Sequence, residues 1–106
     1  MGLEEAIHHL TDMPARLFGL RDRGRITEGW IADVVLFDPN VIDSGDVVMV
    51  HDLPGGSGRL SAEAIGIAKV FVNGELSVDA NVPTGVLAGT ILKSGRDTDT
   101  VLVGNP

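Results

Sequence analysis

The chain has 106 residues, 43% of them hydrophobic, with three Phe, one Trp and no Tyr, so it holds one small domain or part of one with an aliphatic core. A net charge of -7 excludes nucleic-acid and anionic-membrane partners, which need clustered Lys or Arg against phosphate, and the absence of cysteine excludes disulfides, thiolate nucleophiles and zinc ribbons. No apolar run approaches the roughly 20 residues that span a bilayer and no signal pattern opens the chain, so a cytoplasmic protein with no membrane partner is expected.

Leu3, Ala6, Ile7 and Leu10 fall at helical spacing, with Glu4 and Glu5 in the first turn where the helix dipole favours negative charge. A second short helix follows, capped by Thr11 or Asp12, with Pro14 in its first turn and Ala15, Leu17 and Phe18 continuing it. Gly19 is placed to close it in the left-handed conformation. From Arg21 the signals turn to β: Gly24 and Gly29 flank Arg25-Ile26-Thr27, a short strand between turns. Ala32-Asp33-Val34-Val35-Leu36-Phe37 is a nearly continuous apolar run of strand length, which predicts cover on both faces. Asp38-Pro39-Asn40 ends it. Residues 41 to 63 are the least legible stretch, with Pro54-Gly55-Gly56-Ser57-Gly58 a loop.

Ile67 to Val72, Asn73-Gly74 and Glu75 to Val78 write a β-hairpin, because a type I′ turn needs positive φ at both central residues and Asn-Gly supplies it. Thr84-Gly85 then leads to a weak strand near Thr90-Ile91-Leu92. Beyond Lys93 the tail is polar, and Thr100-Val101-Leu102-Val103 is a candidate edge strand. Val34, Leu36, Val70, Val72 and Leu76 are the candidate core.

Few residues invite chemistry. His8 and His9 are adjacent on a helix and point about 100° apart, so they do not face one ion. Glu5 and His8 have the Glu-x-x-His spacing of di-iron bundles, which need two such helices and further carboxylates. The plainer reading is a solvated helix surface. His51-Asp52 lies near Ser57 and Ser61, but there is no Gly-x-Ser-x-Gly elbow to expose a nucleophile. Gly55-Gly56-Ser57-Gly58 lacks the Lys-Ser/Thr and the following helix that a phosphate cradle uses. Asp33 inside an apolar run calls for a structural role: its carboxylate can accept backbone N–H groups across the Gly29 turn. Trp30 reads as a lid on the sheet edge, its indole N–H seeking a partner. The predicted site residues are therefore structural (Gly29, Asp33, Asn73 and Gly74), with no catalytic and no metal residue in this chain.

Several of these pieces, in this order, resemble the C-terminal segment of metal-dependent amidohydrolases of the N-acyl-D-amino-acid deacylase (D-aminoacylase) group. They are Leu3-Glu4-Glu5-Ala6-Ile7 with Leu10-Thr11 and Pro14-Ala15-Arg16; Gly19-Leu20-Arg21-Asp22-Arg23-Gly24-Arg25-Ile26 with Gly29; Ala32 to Pro39; Asp52-Leu53-Pro54-Gly55-Gly56, then Ala64-Ile65-Gly66-Ile67, as the loop entering the hairpin; Val72-Asn73-Gly74-Glu75; and Thr84-Gly85. The resemblance covers roughly residues 3 to 92; Val86 to Thr90 and the tail after Lys93 depart from it. It implies a mainly β fold with N-terminal helices, part of the composite β-sandwich with a buckled mixed sheet that flanks the amidohydrolase barrel. It divides the chain into an N-terminal helical segment (1–19), a β-rich domain (20–92) and a polar tail (93–106).

By the same resemblance the parent enzyme hydrolyses C–N bonds with zinc held in a barrel, through His-x-His and further ligands that this chain lacks. A barrel takes about 250 residues, so this chain supplies a non-catalytic support, with no cofactor of its own. Its expected partners are the catalytic barrel and N-terminal strands of the parent, and a sheet lacking those strands exposes an edge for homo-oligomerisation. Two alternatives remain: a free-standing β-rich binding or assembly module without enzymatic activity, and a small metal protein using His8, His9 or His51.

Overall fold

The computed structural model describes residues 1–102. Helix α1 (Leu3–Leu10) carries Glu4 and Glu5 in its first turn, where the helix dipole favours negative charge, and His8 and His9 in its last. Helix α2 (Asp12–Leu17) follows after Thr11. Neither candidate caps it. Thr11 stands at the N-cap position, but its hydroxyl donates to Ile7 O of α1 at 2.7 Å. Asp12 lies inside α2, almost fully buried, and accepts Arg16 Nε at 2.8 Å one turn on. Gly19, buried and at φ 67, closes the helix as expected.

The strands are β1 (Val34–Phe37), β2 (Asp43–Ser44), β3 (Val48–Val50), β4 (Arg59–Ser61), β5 (Ala64–Ile65), β6 (Ile67–Val72), β7 (Glu75–Asp79) and β8 (Val82–Pro83). They form a four-stranded sheet in the order β1-β6-β7-β8 and two ribbons, β2-β5 and β3-β4. Gly74 N–H donates to Ala32 O at 2.9 Å and Asp38 N–H to Gly66 O at 3.1 Å, which makes β1 and β6 antiparallel. The hairpin joining β6 to β7 turns at Asn73 and Gly74, with φ 54 and 79. A second two-residue turn, Ala80-Asn81 with φ 48 and 67, joins β7 to β8, where Val78 faces Pro83 and Asp79 faces Val82.

The structure is mainly β with N-terminal helices and antiparallel sheets. It departs from the sequence reading at several points. Arg25-Ile26-Thr27 forms no strand: Ile26 is exposed and the segment runs into a turn closed by Trp30 N–H donating to Thr27 O. Thr90-Ile91-Leu92 is not a strand, and neither is the described part of the candidate edge strand, Thr100 to Leu102; Val103 lies outside the described residues. Residues 41 to 63 hold three strands, and within the expected loop Pro54–Gly56 makes a 3₁₀ turn. The strand begins at Val34 rather than Ala32, and its apolar run is not covered on both faces: Val34 and Phe37 are half-buried while Val35 and Leu36 remain about half exposed. Val70, Val72 and Leu76 are half-buried as a core face requires; Leu36 is not.

The chain divides into two compact units. One comprises Met1–Val34, Phe71–Glu75 and the chain from Leu87 onward. Within it Asp99 N–H donates to Gly19 O at 2.8 Å, and Leu20 bridges Thr98. The other comprises Val35–Val70 and Leu76–Val86. Its ribbons pair Asp43 with Ile65 and Ser44 with Ala64, and Val48, Met49 and Val50 with Ser61, Leu60 and Arg59.

Candidate functional site

Asp33 is the organising polar residue of the first unit. Its Oδ1 accepts the backbone N–H of Asn73 at 2.8 Å, and its Oδ2 accepts Arg23 Nη1 at 2.5 Å. Arg23 is largely buried, its side chain 17% exposed, so the carboxylate is its charge partner in a partly dry setting. Gly74 N–H donating to Ala32 O completes a latch that holds the hairpin turn against the chain just before β1. The Gly29 turn, at φ 83, is closed by its own backbone, so Asp33 reaches forward to Asn73 rather than back across Gly29. Of the four predicted turn residues, the structure brings Asp33, Asn73 and Gly74 together and leaves Gly29 apart. Trp30 is half-buried, with the Arg25 guanidinium 5.6 Å from its ring centroid.

The histidines are dispersed. His8 Nδ1 lies 3.6 Å from Asp12 Oδ2, and that same oxygen accepts Arg16. The rings of His8 and His9 are 6.1 Å apart and tilted by 59°. His51 Nδ1 sits 3.2 Å from Gly56 O, inside the loop that joins β3 to β4. Asp52 turns instead to Arg59, which donates Nε at 2.7 Å and Nη2 at 2.6 Å and closes the base of that loop. Asp52 is thus committed to a structural ion pair with Arg59, while the Nδ1 of His51 faces Gly56 O, so the two do not form the carboxylate–imidazole pair of a triad. Among the described residues no three of His, Asp and Glu gather as metal ligands, so the residues present do not fit a zinc centre.

Sequence reasoning missed Asn81. In the second unit its Oδ1 accepts Ile67 N–H at 3.2 Å and its Nδ2 donates to Ala64 O at 2.7 Å, while Ala80 N–H donates to Ala68 O at 2.7 Å. These bonds hold Ala80 at a positive φ that a residue with a Cβ resists by about 1–2 kcal/mol. The only sequence signal was an Asn in a turn-length gap, weaker than Asn-Gly. Asn81 also lines an open concavity of about 350 Å³ with Glu63, Ala64, Ile67, Val70, Val78 and Pro83. Its amide is already spent on the backbone, and no nucleophile faces Glu63 there, so the concavity offers contact rather than chemistry.

Arg21, Arg23 and Arg96 border a smaller hollow of the first unit with Asp22, Asp97, Ile31 and Leu92. Their charges are paired internally: Arg21 with Asp99 at 3.3 Å and also with Arg96 O, Arg23 with Asp33, and Arg96 with Asp97 at 2.7 Å. The Arg96 guanidinium foremost, then the Lys93 backbone N–H, hold the Asp97 carboxyl below its ordinary range; Arg59 does the same for Asp52. A carboxyl depressed in the folded chain adds stability that is complete above its ordinary pKa and is lost as pH falls through the folded value. In an NMR pH titration Asp97 is therefore expected to titrate below the usual value of about 3.9, and Arg96→Ala to move its midpoint upward. An unmoved midpoint would remove Arg96 as the cause.

Comparison with known proteins gives the class: the chain is D-aminoacylase-like over most of its length. It is 37% identical over 91 residues to the N-acyl-D-glutamate deacylase of Alcaligenes xylosoxydans xylosoxydans, a match covering 86% of this chain and 17% of that protein. To a D-aminoacylase of the same organism it is 33% identical over 90 residues, 85% of this chain and 17% of the relative. A shorter match, 49% over 45 residues, joins it to an N-acyl-D-aspartate deacylase, covering 42% of this chain and 9% of that protein. The chain thus spans about a sixth of the length of the N-acyl-D-glutamate deacylase and of the D-aminoacylase. No family model and no solved structure matches.

Proposed function

We propose that this chain is the non-catalytic β-sandwich part of a metal-dependent amidohydrolase whose complete form hydrolyses the amide bond of N-acyl-D-amino acids. Its role is to brace a catalytic barrel supplied by sequence outside these residues. The observation that carries the reading is the coverage: two deacylases match nearly the whole of this chain through a small part of their own length. The burial pattern supports it. Among the described residues Ala15 is the one buried apolar side chain, while the apolar stripe of α1 and residues Val48, Met49 and Leu60 of the β3-β4 ribbon stay exposed. Exposed aliphatic surface on this scale is a liability for a free-standing domain and is expected where barrel and N-terminal strands dock. In this reading any zinc would be held by the barrel, and the chemistry it would supply there is activation of water and polarisation of the scissile carbonyl.

The test is a chimera. The segment of the N-acyl-D-glutamate deacylase that matches this chain is deleted in one variant and replaced by this chain in another. Deletion is expected to abolish soluble, active enzyme, and the replacement to restore hydrolysis of an N-acyl-D-glutamate. The isolated chain is expected to hydrolyse nothing, with or without zinc, and its amide NMR spectrum to be unmoved by stoichiometric zinc. Full activity after deletion would sink the bracing role and favour a free-standing binding module. Zinc-dependent shifts at His8, His9 or His51 would favour a metal protein instead.

A further inference from the structure

The Asn73-Gly74 turn is exposed, and its two residues are the pair in which a side-chain amide and an unhindered backbone nitrogen lie closest to reaction. We propose that Asn73 is a site of spontaneous deamidation whose rate is set by the opening of the Asp33 latch. In the reaction the Gly74 nitrogen loses its proton to hydroxide and attacks Asn73 Cγ. The new C–N bond closes a five-membered imide, the Cγ–Nδ2 bond breaks, and ammonia leaves with a proton from water. Water then opens the ring. Attack at the side-chain carbonyl gives an aspartate at this position; attack at the backbone carbonyl gives an isoaspartate.

Three hydrogen bonds oppose the first step. Gly74 N–H, the nucleophile's proton, is given to Ala32 O at 2.9 Å. Asn73 N–H is given to Asp33 Oδ1 at 2.8 Å, and Asn73 Nδ2 reaches Ala88 O at 3.5 Å. Together they fix both peptide planes of the turn at φ 54 and 79, and keep the attacking nitrogen from rotating toward Cγ. Since both residues are exposed, the surrounding structure does not exclude water or hydroxide, and the closed latch is the protection. Reaction also opposes reclosure: either product replaces the Asn73 Nδ2 donor to Ala88 O with a carboxylate that cannot donate, and an isoaspartate adds a backbone methylene to a turn that holds two residues. The latch is thus a one-way gate on the hairpin of β6 and β7.

The experiment follows Asn73 by peptide mapping that resolves isoaspartate, near neutral pH and body temperature. Three samples are compared: the chain, its Asp33→Ala variant, and the chain in denaturing urea. The native chain is expected to react far more slowly than the denatured one, and Asp33→Ala about tenfold faster than native, the population change from losing the Asn73 N–H bond alone, since the Arg23 ion pair to Asp33 does not have to break for the turn to open. Equal rates in native and denatured chain, or in native chain and a folded variant, would overturn the proposal. Should the variant unfold, the native chain decides through sub-denaturing urea. Hydrogen exchange at Gly74 and deamidation at Asn73 are expected to rise together, since both pass through the same opening. Deamidation that rises independently of that exchange would overturn it.

Discussion

Gly66→Ala is expected to destabilise the chain by about 3 kcal/mol, the sum of left-handed strain and a backbone clash. Gly66 stands between β5 and β6 at φ 87. A Cβ there would lie 2.8 Å from Ile42 Cα and 2.9 Å from Ile42 N, atoms that no rotamer can move aside. The strand-to-strand step is tight because Gly66 O must also reach Asp38 N–H, which ties the end of β1 to β6. Gly74→Ala provides the comparison. Its φ is 79, but nothing lies within 4 Å of the new Cβ, so only the strain of about 1 kcal/mol remains. Urea unfolding at constant m-value measures both. Equal losses for the two variants would mean that the approach of Ile42 costs nothing.

Asp33→Ala is expected to cost about 2–3 kcal/mol, because it strands two donors at once. Asn73 N–H loses its acceptor, and Arg23, with its side chain only 17% exposed, keeps its charge without a partner. Asp33→Asn retains an acceptor for Asn73 and loses the ion pair, so its cost falls between Asp33→Ala and the parent. In a double-mutant cycle with Arg23→Ala the two losses are expected to be less than additive, since each removes the same contact. Strict additivity would show that Arg23 and Asp33 meet without energetic consequence. The Asn73 amide proton reports the same event independently, shifting when its carboxylate acceptor is removed.

These two sites also show how far the residues alone carry. Asn73-Gly74 was legible because its requirement is local: two consecutive positive φ values, which Asn and Gly adopt at little cost. The helix over Leu3–Leu10 was legible for a comparable reason, its apolar spacing and its acidic first turn agreeing. Asp33 stood out as a carboxylate within an apolar run. Its acceptor role followed, but not its partner, since Asn73 lies 40 positions away and only the pairing of β1 with β6 brings it near.

The Ala80-Asn81 turn was illegible because Ala disfavours the left-handed region. It is held there by bonds from Asn81 to Ala64 and Ile67, a cost met by tertiary contacts rather than by the turn's own residues. The ribbons β2-β5 and β3-β4 escaped detection as well, being two or three residues long with no periodicity to read.

His51 and Asp52 looked adjacent to serines along the chain, and pairing β3 with β4 spent Asp52 on Arg59 instead. Alone, the sequence determined the features whose energetics are contained within a few consecutive residues: helix spacing, the Asn-Gly hairpin and the order of motifs that resembles the deacylases. The tertiary structure decided which distant donors and acceptors meet and which apolar faces stay bare. Burial and hydrogen bonding across sheet neighbours depend on pairings that no local segment encodes.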